Sequence, residues 1–75
     1  MKTYKNLSGK SGVLAYETGK TFIKIKFAGE SGIYTYNYER PGRVLVEQMK
    51  NLALKGKGLS DFILEKVGVN FASNK

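Results

Sequence analysis

The sequence predicts an α+β domain in two layers: a three-stranded antiparallel meander followed by two helices packed on one sheet face. Three observations predict it. From Thr21 to Tyr38 the residues alternate with period two on both sides of a glycine-marked turn, Phe22-Ile23-Lys24-Ile25-Lys26-Phe27 and then Tyr34-Thr35-Tyr36-Asn37-Tyr38. Past the chain's only proline, Pro41, the apolar period becomes that of a helix. The connector Gly56-Lys57-Gly58 then divides the helical part in two.

Taken in order, residues 1–11 are polar, and the Ser8-Gly9-Lys10-Ser11-Gly12 cluster reads as a loop. It has neither the glycine spacing nor the preceding apolar strand of a phosphate-binding loop. Gly12 to Tyr16 is the first strand, with Val13 and Ala15 on one side and Leu14 and Tyr16 on the other; Glu17-Thr18-Gly19-Lys20 turns the chain. The second strand, Thr21–Phe27, sets Ile23, Ile25 and Phe27 on one side and Phe22, Lys24 and Lys26 on the other. Ala28-Gly29-Glu30-Ser31-Gly32 is a turn too long for a two-residue hairpin. The third strand, Ile33–Tyr38, aligns Tyr34, Tyr36 and Tyr38. Short sequential connections make these strands antiparallel neighbours.

Pro41 suits a helix entry, where its missing N–H costs nothing. Leu45, Val46, Met49, Leu52 and Ala53 recur at helical spacing up to Lys55-Gly56, with Gly56 placed as a left-handed cap. Ser60 reads as the N-cap of the second helix, Leu59 and Leu64 as a hydrophobic staple, and Phe62, Ile63 and Val67 as its apolar face up to Gly68. Val69–Phe71 adds a short extended piece. Residues 1–11 and 72–75 are expected to be flexible.

Seventy-five residues make one domain. Apolar residues at 41% and charged residues at 25% argue against wholesale disorder. No apolar run approaches the ~20 residues needed to span a bilayer, and no hydrophobic segment follows the basic start Met1-Lys2-Thr3-Tyr4-Lys5 as a signal peptide requires. A cytoplasmic, non-membrane protein is the default expectation. Thirteen Lys and Arg against six Asp and Glu give +7, and residues 1–43 carry eight basic and three acidic groups. The strand half is therefore the electropositive half, a field that attracts nucleic acid, anionic lipid or acidic protein.

The alternating run ending at Phe27, then Tyr34-x-Tyr36, then Pro41, then Val46-x-x-Met49-x-x-Leu52-Ala53, then Gly56-x-Gly58 ahead of Phe62-Ile63, resembles the KTSC domain family. That family occurs at the C-terminus of some lysyl-tRNA synthetases and as short stand-alone proteins. The resemblance covers roughly residues 11–67, with Ala15-Tyr16-Glu17 in place of the family's Gly-Tyr-Asp. Three departures stand out. Glu39-Arg40-Pro41-Gly42 replaces its Val-Pro turn, Leu59-Ser60-Asp61-Phe62 its aromatic-Asn pair, and Leu64 the arginine expected after Ile63. The resemblance implies association with nucleic acid through the synthetase context.

Histidine and cysteine are absent, so the usual general base, the thiol nucleophile and the commonest metal ligands are missing. The six acids are scattered; Asp61 and Glu65 stand one helical turn apart, as a cap residue and a surface acid would. The reading is non-enzymatic, with no cofactor and no metal. Two readings stand for the tyrosine row: a platform that stacks unpaired bases, or the buried face of the sheet. Polar Thr35 and Asn37 on the other side favour burial of Tyr34 and Tyr36, leaving Tyr38, at the strand end, open to either.

Phe22, Lys24 and Lys26 then share an open basic face with Thr35 and Asn37. Its lysines either hold phosphates or protect a bare sheet from aggregation. Arg40 and Arg43 bracket Pro41 at a helix start, where an anion could settle; Lys55 and Lys57 make a weaker cluster beside Asp61. The expected nucleic-acid-binding residues are thus Phe22, Lys24, Lys26, Tyr38, Arg40 and Arg43. Their partner is RNA or single-stranded DNA, because no helix is basic along one face as duplex reading favours. The alternative is a protein-interaction or accessory module of phage or mobile-element type, acting by sheet-edge pairing or as a homodimer. An anionic-membrane binder ranks last, since the sequence has no amphipathic basic helix.

Overall fold

The computed structural model describes residues 1–7, 9 and 11–74; Ser8 and Lys10 of the expected loop, and Lys75 of the expected frayed end, lie outside the described residues. The fold is α+β, with one antiparallel sheet in the order β1-β2-β3-β4-β5. The strands are β1 (Lys2–Thr3), β2 (Val13–Thr18), β3 (Phe22–Phe27), β4 (Ile33–Asn37) and β5 (Ser73–Asn74). Between β4 and β5 run α1 (Arg43–Lys55) and α2 (Leu59–Phe62), the latter continuing into a π-helical stretch, Ile63–Val67. None of these helices is long and apolar enough to cross a membrane.

The meander is present as β2–β4, and the sheet is wider than expected. Lys2 pairs with Tyr16 and Thr3 with Ala15 on one side, and Asn74 pairs with Tyr34 and Ser73 with Thr35 on the other. Two-residue strands carry no period to read, so residues expected to fray are strands instead. Tyr4 anchors the first of them: it is buried, its N–H donates to the Leu14 carbonyl, and its hydroxyl accepts the Leu59 N–H at 3.3 Å.

A bulge in β2 corrects the predicted faces of that strand. Val13 pairs with Phe27 but Ala15 with Lys26, so Leu14 is an extra residue. Val13 and Tyr16, on opposite sides in a regular strand, are both buried in the core. The strand also continues through Glu17 and Thr18, where a turn was expected.

Ile23 and Ile25 of β3 are fully buried and pair with Tyr36 and Tyr34. Tyr36 is 1% exposed, while Tyr34 and Tyr38 are half-buried against the same core. Val46, Met49 and Ala53 close the core from α1, with Leu59, Ile63 and Val67 beside them. The tyrosine row therefore faces the helices.

Each helix begins differently from the sequence reading. Pro41 precedes the N-cap, Gly42, and is joined to Arg40 by a cis peptide bond. Gly56 does cap α1 in the left-handed region, at φ 76°. Gly58 is left-handed too (φ 84°) and starts α2, so Ser60 lies within the helix and caps nothing. The expected staple is absent, because Leu59 is fully buried and Leu64 is 81% exposed. Gly68 ends the π-helical stretch, its N–H donating to the Ile63 carbonyl five residues back at 2.6 Å. The chain then turns at Gly68 and Val69, and the extended piece begins four residues later than expected, in β5.

Two measurements test this packing. The Phe22 ring lies over Gly19, where a Cβ would come within 2.0 Å of it. Gly19→Ala is expected to cost about 1–3 kcal/mol by overpacking, and much less in a Phe22→Ala background; a double-mutant cycle in urea reads the difference. Burial pushes the Tyr36 phenol up to about 12 from 10.0. Its neutral form is favoured in the fold, so that stability is whole below pH 10 and is lost as pH rises towards 12. The loss is on the order of 2–3 kcal/mol, read as the difference between wild type and Tyr36→Phe in urea unfolding across that range.

Candidate nucleic-acid interface

The same alternation that buries Ile23 and Ile25 turns Lys24 and Lys26 to the face away from the helices. Cross-strand register gives Lys24 polar neighbours and Lys26 apolar ones. Lys24 stands between Glu17 and Thr35, Lys26 between Ala15 and Ile33, and Phe22 opposite Asn37. Thr3 and Ser73 extend this face to the two edges. It is basic, as expected, but not uniformly: the strand continuation that made Glu17 part of β2 sets a carboxylate opposite Lys24.

The lysines are held differently. Lys26 Nζ donates to the Glu30 carbonyl at 2.9 Å, which carries its charge to the β3–β4 turn. Lys24 Nζ lies 5.6 Å from the centre of the Phe22 ring. Phe22 itself is half-buried, since its ring packs on Gly19. The exposed aromatic expected at this position is thus largely engaged by its own neighbours, and its stacking surface is smaller than the sequence suggested.

Tyr38 and Arg43 come together at the start of α1, but Arg40 does not join them. The Arg43 guanidinium lies 5.9 Å from the Tyr38 ring centre, and Lys50 Nζ lies 5.7 Å from it. The Tyr38 hydroxyl donates to Glu47 Oε2 at 2.7 Å, and Lys50 Nζ donates to the same oxygen at 2.9 Å and to the Lys20 carbonyl at 3.0 Å. Lys50 thereby ties the β2–β3 turn to the helix. Arg40 is exposed; its Nε donates to Asn70 Oδ1 at 3.0 Å, towards the β5 side. Asn37 Oδ1 accepts the Glu39 and Arg40 N–H groups and shapes the turn between them.

Glu47 and Lys50 were missed as members of this corner. Their i, i+3 spacing was legible, but nothing local told that Tyr38 would complete the set. The hydrogen bond from Lys50, with that from Tyr38 second, holds the Glu47 carboxyl below its usual range; the bond to Glu47 raises the Tyr38 phenol. Since Glu47 is depressed, its contribution is present at neutral pH and is lost as pH falls through its folded value.

A comparison of the chain with protein-family models, with curated proteins and with solved structures finds no match. The geometry is consequently the ground for a functional reading.

Lys50→Met is expected to return the Glu47 carboxyl towards its ordinary pKa, and Tyr38→Phe to do so by less. Carboxyl carbon shifts followed by NMR titration check both; an unmoved Glu47 in Lys50→Met overturns the assigned order of causes.

Proposed function

We propose that this protein is a non-enzymatic binding module that holds single-stranded nucleic acid, RNA or DNA, on its open sheet face. The observation that carries this reading is the one-sided coverage of the sheet: both helices lie over the tyrosine face, and Lys24 and Lys26 stand on the other. Lysines carry charge but no base code, so they suit phosphates rather than bases, and the binding is electrostatic and tolerant of sequence. Arg43, beside Tyr38 at the start of α1, and Arg40, turned towards Asn70, add two further cations outside the sheet face. The +7 charge of the chain supports the same partner class. The likeness of the residue order to the KTSC domain family agrees with it.

The protein-interaction reading by edge pairing or through Phe22 has less to stand on. Each outer strand offers two residues, and the Phe22 ring is covered by Gly19 and Lys24.

Fluorescence anisotropy with a labelled oligonucleotide tests the proposal. Micromolar affinity is expected, with log Kd rising against log salt at about 0.7 per phosphate contacted. Neutralising Lys24, Lys26, Arg40 and Arg43 together should abolish binding and flatten that slope. Affinity unchanged in the quadruple variant, with the fold intact by circular dichroism, overturns the proposal.

A further inference from the structure

A groove of about 480 Å³ opens between the β3–β4 turn and the segment that follows α2. Phe27, Tyr34 and Phe71 wall it in edge-to-face contact, their ring centres 5.2 and 4.8 Å apart in turn. Tyr36 lines it from the core side. Among the described residues no buried side-chain polar atom is sealed off without a partner, and none donates to or accepts from the Tyr36 hydroxyl. Turned to the groove that Tyr36 lines, this hydroxyl would offer one donor and one acceptor to whatever enters. At the rim, Glu30 takes the Tyr34 hydroxyl on Oε1 at 2.8 Å, while its backbone carbonyl takes the Lys26 ammonium. An aromatic slot with polar groups at floor and rim thus lies next to a lysine of the open sheet face.

Resting on the nucleic-acid reading above, we propose that this groove receives one unpaired base of a bound single strand. The strand's phosphates follow the lysine face and reach the turn at Lys26, and the base passes Glu30 to lie against the wall of rings. The fit is one of complementary chemistry. A base presents a flat apolar face to aromatic walls, a hydrogen-bonding edge to the Tyr36 hydroxyl and the Glu30 carboxylate, and an attached phosphate to the neighbouring cation. The larger groove between α1 and α2, lined by Leu52, Leu54 and Phe62 with Gln48, Asn51 and Lys55, belongs to the helical layer and not to the turn that Lys26 reaches.

The test compares a labelled single-stranded oligonucleotide with an abasic strand of the same length and phosphate count. The full chain is used at low salt, with Ala28→Trp, which fills the groove from its exposed rim, as the variant. The intact strand is expected to bind at least about tenfold tighter than the abasic one. Ala28→Trp should bring the intact strand down to the abasic affinity and leave abasic binding unchanged; Tyr36→Phe should lose part of the same difference. Equal affinity of the two strands for the wild type overturns the base site and leaves the phosphate track standing. A difference that survives Ala28→Trp places the base elsewhere and overturns the groove assignment. Failure of both strands to bind overturns the nucleic-acid reading, and the groove assignment with it.

Discussion

The structure depends on one packing constraint: Ile23 and Ile25 must be covered, and the chain has only enough helix to cover one side of the sheet. A thirteen-residue α1 is about 20 Å long, close to the span of a five-stranded sheet at ~4.8 Å per strand step. With the short α2 and its π-helical extension it closes the tyrosine face, and among the described residues no further helix lies over the other. Alternation then dictates the outcome. Whatever stands between Ile23, Ile25 and Phe27 must tolerate water, and there the sequence has lysines.

Around that core, polar contacts fix the loops to the helices. The Tyr4 hydroxyl meets the start of α2, Lys50 meets the β2–β3 turn, and Arg40 meets Asn70 ahead of β5. The Leu7 N–H also donates to the Gly56 carbonyl at 2.7 Å, laying the N-terminal segment against the end of α1. Each joins parts far apart in sequence. In a domain this small, where a core alone gives thin stability, such links hold the edge strands in register although those strands make few ladder bonds of their own.

Legibility in the sequence followed the range of the determining interaction. The faces of β3 and β4, the extent of α1 and its Gly56 cap are set by residues within a few positions of one another, and all could be read. The bulge at Leu14 could not, because it depends on register against β3, and its effect is to bring Val13 and Tyr16 to one side. Nor could β1 and β5, each of which exists only as a partner to a longer strand. Ser60 carried a sound capping signal, yet the left-handed Gly58 started the helix before it. In the candidate site, the position of Lys24 and Lys26 was legible from alternation. The confinement of Phe22 by Gly19, the separation of Arg40 from Arg43 and the intrusion of Glu17 were not, since each is a contact between segments.

The open face carries two demands at once. A bare sheet needs charge to resist pairing with another sheet, and a polyanion-binding surface needs the same charge unpaired. On the proposed reading both demands apply, and Glu17 opposite Lys24 keeps the face from being of one sign. Resistance to aggregation would be met equally by mixed charges, which also lower self-repulsion. Here the only ion pair among the described residues is Glu47–Lys50, at the helix corner and not on the sheet. Within a radius of gyration of 10.8 Å the excess of +7 is a standing destabilisation of the compact state. A polyanion bound as proposed would relieve that repulsion while gaining its own contacts, and to the extent that it preferred the folded chain it would stabilise the fold by linkage. A surface that weakens the free protein and would be relieved by such a partner fits the proposed module, whose working state would then be the bound one.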